Sequence, residues 1–247
     1  MLNLHQADIA AQDQMWHIRA QIEIDERVQQ MTDFAMRRTM MVDTQVRPSD
    51  VTKFPIIDAM LSVAREDFVP TAQREAAYMG ENLPLGGARV VLEPRTLAKM
   101  LDALNIQKNE LVLDIGTGFG YSSAVVAHMA EAVVAVEEDE AMVVEAQEAL
   151  STAGMDNVIL HTGSLTAGAA QHGPYDVILI QGGVEEIPAA LLDQLKEGGR
   201  IVGIFMTGAL GEVRVGHKID GKMNWRMSFN AGAPVLDGFV QANSFKL

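Results

Sequence analysis

The stretch Val112-Leu-Asp-Ile-Gly-Thr-Gly-Phe-Gly120 places a carboxylate, Asp114, two residues before the first of three alternate glycines, and Glu137 closes the next apolar run. Glycines between a strand and a helix let backbone N–H groups and the helix N-terminus come close to a ligand. A dinucleotide fingerprint would put Gly or Ala at position 121 and usually has no acid on the strand. Here position 121 is Tyr and the strand carries Asp114. The pattern suits S-adenosyl-L-methionine, which bears an ammonium, a carboxylate and a sulfonium but no phosphate. Asp114 would order the turn and face the cationic end, while Glu137, acceptor-only and bidentate, would take two ribose hydroxyls. Gly116, Thr117, Gly118, Gly120 and Tyr121 form the expected cofactor turn, with Glu138 beside Glu137. The competing readings are an ordinary βαβ turn and a nicotinamide-dependent oxidoreductase; the missing glycine argues against the second.

These residues require strands and helices in alternation. Apolar runs predict strands over 111–115, 132–136, 158–161, 176–180 and 200–205, and helices over 121–129, 140–150 and 189–195. Uninterrupted apolar strands alternating with helices specify a mostly parallel sheet covered on both faces, a Rossmann-like α/β fold. Upstream, residues 32–65 read as helical, with Pro48 and Pro55 marking a break and Ser49 or Asp50 able to start a second helix. Residues 83–87 read as a turn-rich loop, and Pro94 opens a helix through Leu104. The tail predicts strands over 213–219, 225–229 and 239–245, around turns at Asp220-Gly221 and Ala231-Gly232. Residues 1–30 form an N-terminal extension, either an amphipathic helix through Ile9, Met15, Trp16, Ile22 and Val28 or a poorly ordered lead-in. Residues 31–247 make one domain: a helical part with an active-site loop (31–105), a cofactor-binding core (106–210) and C-terminal strands (211–247).

Composition narrows the class. The 247 residues are 48% hydrophobic, enough for one sizeable core, and cysteine is absent. Disulfides, thiolate catalysis and Cys-ligated metals are therefore excluded, and a cytoplasmic location is expected. No apolar run approaches the roughly 20 residues that span a bilayer, and the acidic first thirty residues do not read as a secretory signal. A net charge of −14, with Lys and Arg scattered, argues against a nucleic-acid partner.

Beyond these patterns, the chain resembles the protein-L-isoaspartate O-methyltransferases from about Met41 to the end of the predicted fifth strand. The similar stretches include Met41-Val-Asp-Thr-Gln45, Arg65-Glu-Asp-Phe-Val-Pro70, Ala77-Tyr78, Leu83-Pro-Leu-Gly86, Asp114 to Tyr121, Val136-Glu137 and Gln194-Leu-Lys-Glu-Gly-Gly199. The resemblance implies a class I methyltransferase domain whose N-terminal helical part lies over the site. It further implies methyl transfer to isoaspartyl carboxylates of damaged proteins, with S-adenosyl-L-homocysteine as product. Three positions depart from the family pattern. Val90-Val91-Leu92-Glu93-Pro94 replaces Thr-Ile-Ser-x-Pro, so Leu92 stands where the family has a hydroxyl. Gly163-Ser164-Leu165 replaces the Gly-Asp-Gly whose Asp reaches the adenine amino group, and Gln181-Gly182-Gly183 replaces Thr-Ala-Ala. Gly163, Ser164, Leu165 and Gln181 thus join the cofactor-side candidates, while Leu92, Val91, Gln181 and Tyr78 are the acceptor-side ones. Two alternatives follow from the departures: the same fold acting on another, small or apolar acceptor, or a cofactor-binding protein without catalysis. A homodimer through the N-terminal extension is the expected assembly.

Other chemistry-bearing residues read as structural. His161 and His172 lack companions at metal-ligand spacing. Glu138, Asp139 and Glu140 suit the start of a helix better than a metal site, and no metal is expected. Trp225 and Phe229 suit an apolar strand face.

Overall fold

The computed structural model describes residues 2–241. Helix α1 spans Leu2–Met41, and the chain tightens through a π turn (Val42–Val46) and a 3-10 turn (Arg47–Ser49) before α2 (Phe54–Ser62). Neither Ser49 nor Asp50 starts α2 as expected. Asp50 adopts φ 64°, ending the 3-10 turn, and α2 begins four residues later, with Pro at its first turn where a missing N–H costs nothing. Residues 83–87 correct a second expectation. Residues 83–86 are no loop: β1 (Leu83–Gly86) pairs antiparallel with β2 (Arg89–Val91) in a hairpin that turns at Gly87-Ala88, with Gly86 and Gly87 both at positive φ. Pro94 opens α3 (Pro94–Leu104), which ends at Asn105 in the left-handed conformation.

The core then alternates as predicted: β3 (Leu111–Ile115), α4 (Tyr121–Ala127), β4 (Ala132–Glu137), α5 (Glu140–Thr152), β5 (Val158–Thr162), β6 (Tyr175–Val184), α6 (Ala189–Leu192) and β7 (Leu195–Thr207). Helices α4 and α6 stop two and three residues short of expectation, and Leu195 already belongs to β7, paired with Tyr175 of β6. Strands β8 (Leu210–Ile219) and β9 (Lys222–Asn230) complete a sheet ordered β5-β4-β3-β6-β7-β8-β9, parallel except for the last two. The predicted third tail strand is not formed by residues 239–241, and the rest of that stretch lies outside the described residues.

Val112, Val133, Val177 and Val202 face a cluster shared with α2 to α5 and the N-terminal turns. Leu113, Val134, Ile178 and Ile201 face the other, thinner layer, built from α6, the 165–169 loop and the tail residues Leu236 and Phe239. The chain leaves β3 in one direction through β4 and β5 and returns on its other side as β6. That reversal opens a crevice at the carboxyl ends of β3 and β6, where open α/β sheets take ligands.

Candidate functional site

Asp114 and Glu137 occupy neighbouring strands at this crevice, both fully buried. Burial raises the Asp114 carboxyl above its usual range, and Ser122, Ser123 and Gln181 work against the rise by hydrogen bonding to it. Ser122 and Ser123 donate to Oδ2, each at 2.6 Å, and Gln181 Nε2 donates to Oδ1 at 3.0 Å. Both serines come from the first turn of α4, so Asp114 ties that helix and β6 to the glycine turn. Thr117 Oγ1 joins through Ser123 Oγ at 2.7 Å.

The glycines have specific work. Gly118, at φ 57°, turns its N–H toward Glu137 Oε2 at 3.0 Å, and a Cβ there would collide with Leu85 Cδ1 of the β1–β2 hairpin. Gly120, at φ 94°, starts α4 with Leu150 packed where a side chain would go. Glu137 also accepts the N–H groups of Glu138 (2.9 Å) and Asp139 (3.2 Å). Asp139 in turn caps α5 through Ala141 and Met142.

Arg89 was not among the sequence-derived candidates. Its Nε donates to both Glu137 oxygens, at 3.1 and 3.2 Å, and its Nη2 reaches Glu138 Oε1 at 2.8 Å. One signal was available: Arg89 is the single cation between Leu83 and Pro94, in a segment bound for an acidic crevice.

Of the acceptor-side candidates, Val91, Leu92 and Gln181 line one small cavity with Val90, Leu97, Thr117, Tyr121 and Ser122. Tyr78 is elsewhere. Its hydroxyl donates to Glu66 and accepts from Arg38 Nε at 2.9 Å, in a cluster beneath α1. Burial, foremost, pushes that phenol far above its ordinary range. The link between the two regions is Arg65, also missed, which is wholly buried: it donates to the carbonyls of Ala77 (2.6 Å) and Leu92 (2.8 Å) and lies 4.7 Å over the Tyr121 ring. On the cofactor side, Leu165 is buried against Gly116, whereas Ser164 is exposed and bonds to Thr166 at 2.9 Å. Gly163 donates its N–H to the Glu137 carbonyl at 3.0 Å.

Gly182 and Gly183 acquire a reason that their sequence could not supply. The tail crosses β6 here, with Gly183 N–H on the Pro234 carbonyl (2.7 Å) and Leu236 N–H on the Gly183 carbonyl (2.9 Å). A Cβ at Gly182 would meet Leu236 at 2.6 Å, and one at Gly183 would meet the Ala233 carbonyl at 2.7 Å. His161 and His172 stack edge to face at 5.9 Å, and no metal-binding group of three or more His, Cys, Asp or Glu residues occurs among the described residues. Trp225 packs on Phe205 at 5.0 Å. No helix among the described residues is long and apolar enough to cross a membrane.

The residue types suit the cofactor expected from the sequence, although Arg89 occupies Glu137 in this arrangement. A buried carboxylate lies within the last two residues of each of two adjacent strands, and a turn with Gly116, Gly118 and Gly120 at positive φ follows the first of them. Comparison with known proteins points the same way. The family profile described as protein-L-isoaspartate(D-aspartate) O-methyltransferase matches residues 36–225. The chain is 38% identical over 172 residues to a protein-L-isoaspartate O-methyltransferase of Syntrophus aciditrophicus, covering 70% of this chain and 79% of that one. It is 37% identical over 172 residues to protein-L-isoaspartate O-methyltransferase 1 of Syntrophobacter fumaroxidans, covering 70% and 80%. A solved protein-L-isoaspartate O-methyltransferase superposes with a TM-score of 0.72 at 25% identity, over 81% of this chain and 66% of the other. A Plasmodium falciparum structure with the same family description, in complex with S-adenosyl-L-homocysteine, shares the fold with a TM-score of 0.70 at 18% identity, over 81% and 97%.

Proposed function

The chain belongs to the protein-L-isoaspartate(D-aspartate) O-methyltransferase family, and from that premise we propose that it methylates the carboxylate of isoaspartyl residues in proteins and peptides. The match over residues 36–225, which takes in both the glycine turn and the helical part above it, carries this reading. S-adenosyl-L-methionine is the cofactor, and bound there it supplies an electrophilic methyl on a sulfonium; S-adenosyl-L-homocysteine is the product. Glu137 would hold the ribose, and the Asp114-ordered turn would receive the amino-acid end.

An ionised carboxylate acceptor needs no general base, so the protein's task is to align the reacting groups and keep water out. The buried segment Val90–Leu92, anchored at its carbonyl by Arg65, forms the acceptor side of that arrangement. Leu92 offers no hydrogen-bond donor to the acceptor, and this favours a second reading in which the same chemistry serves a small or apolar acceptor. Calorimetry with S-adenosyl-L-homocysteine, run beside turnover of an isoaspartyl peptide, tests both readings. Binding with turnover is the expected outcome; binding without turnover overturns the isoaspartyl substrate and leaves the cofactor. Glu137→Gln is expected to weaken binding at least about tenfold, the loss of one charged hydrogen-bond acceptor.

A cytoplasmic location belongs to the same proposal, supported by the cysteine-free composition. So does a homodimer through residues 1–30, supported by the exposure of Trp16, Ile22, Ile24 and Val28 along α1.

A further inference from the structure

The ion pair of Arg89 with Glu137 is at odds with the role given to Glu137. A carboxylate offers about four lone-pair sites. Three backbone N–H groups, from Gly118, Glu138 and Asp139, and both contacts of the Arg89 Nε already fall on the Glu137 oxygens. The single Arg89 Nε–H is thus the fourth donor on four sites, and a ribose hydroxyl finds a free acceptor there only when Arg89 leaves. The backbone donors are fixed by the turn and by the start of α5, so Arg89 is the partner that can leave.

The tip of the hairpin that carries Arg89, residues 84–88, is the part suited to such a movement, because it is not buried. Val90 and Val91, by contrast, are buried, and Arg65 holds the Leu92 carbonyl beyond them. Strands β1 and β2 pair with each other and form no ladder with the seven-stranded sheet. Their connection is Gly87-Ala88, and a Cβ at Gly87 would meet nothing within 4 Å. Leu85 of the same hairpin lies on Gly118, so one movable element covers both the glycine turn and the carboxylate. Glu138, its side chain 35% exposed, already holds the Arg89 Nη2 and gives the guanidinium a second partner nearer the rim.

Resting on the cofactor reading above, we propose that Arg89 is a built-in competitor for the cofactor ribose: the β1–β2 hairpin closes the site by pairing Arg89 with Glu137, and cofactor binding requires that pair to part. Apparent affinity is then reduced by the fraction of molecules in the closed form, and removing the competitor restores it.

The test is calorimetric titration of S-adenosyl-L-homocysteine into the full chain and into Arg89→Ala, Arg89→Gln and Arg89→Lys, with thermal melts confirming that each variant folds. The Ala and Gln variants are expected to bind about tenfold more tightly. Lys, a point charge without the bidentate fork, should fall between them and the parent chain. Hydrogen exchange across residues 83–91, measured without added cofactor, should quicken in the Ala variant. In an Arg89/Glu137 double-mutant cycle the gain must disappear when Glu137 is replaced by Gln. Unchanged or weaker binding by a folded Arg89→Ala variant overturns the competitor, as does a gain that survives in the double variant. If neither the parent chain nor any variant binds, the cofactor reading itself fails and the competitor falls with it.

Discussion

Leu92 is where one atom type has the most leverage on the chemistry. It is 1% exposed and lines the small cavity beside Tyr121, Thr117 and Gln181, while its carbonyl is held by Arg65. Removing one positioned donor from an active site costs about 10²–10³ in rate. Leu92→Ser should therefore raise isoaspartyl-peptide turnover at least about tenfold, read as kcat with little change in the cofactor KM. The same change opens a cavity in a tightly packed region and should cost about 3 kcal/mol of stability, visible in a denaturant melt. Unaltered turnover in a folded variant would show that position 92 does not face the acceptor.

Among the elements, β6 connects the site to the rest of the fold. At its start Asp176 accepts Leu111 N–H at 2.9 Å and Lys196 Nζ at 2.7 Å, joining β3, β6 and β7 at the edge remote from the crevice. Burial alone would raise this carboxyl, but Lys196 and the Leu111 amide outweigh it and hold the group below its ordinary value. A folded value below the unfolded one means that the stabilisation is present above roughly pH 4 and is lost as pH falls through the depressed folded value. Asp176→Asn should accordingly cost about 1 kcal/mol at pH 7, a difference that shrinks below roughly pH 4 in pH-dependent melts. At its other end β6 carries Gly182 under Leu236. Gly182→Ala should destabilise by about 1–3 kcal/mol through overpacking, and Leu236→Ala in the same chain should recover part of that loss. Strict additivity of the two changes would argue that the tail does not pack on β6 as described.

At the scale of the whole molecule, α1 is divided in its packing. The side chains of Trp16, Ile22, Ile24, Val28 and Met31 are exposed, whereas Phe34 and Met41 are buried and Arg38 reaches Glu66 and Tyr78. Deleting residues 1–30 should leave the melting midpoint of the body unchanged within about 2 °C, since none of the side chains described between Met15 and Gln30 is buried. Sedimentation should show the deletion converting a dimer to a monomer. A monomeric parent chain would remove the proposed assembly without touching the active-site reading.

The sequence by itself determined the parallel core, the glycine turn and the placing of Asp114 and Glu137 on neighbouring strands. Each follows from short-range rules: apolar runs of strand length, glycine at positive φ, and an acid at each strand's end. The family resemblance, with its methyltransferase reaction and cofactor, was legible for the same reason, being carried by motifs in order. The hairpin at 83–91, the seat of Tyr78 away from the acceptor cavity, and the tail lying over Gly182 and Gly183 were decided only by tertiary structure. So was the claim of Arg89 on Glu137, made across 48 residues of chain. Side-chain pairing at such separation depends on how sheet edge, hairpin and tail are brought together, and no local pattern of residues records it.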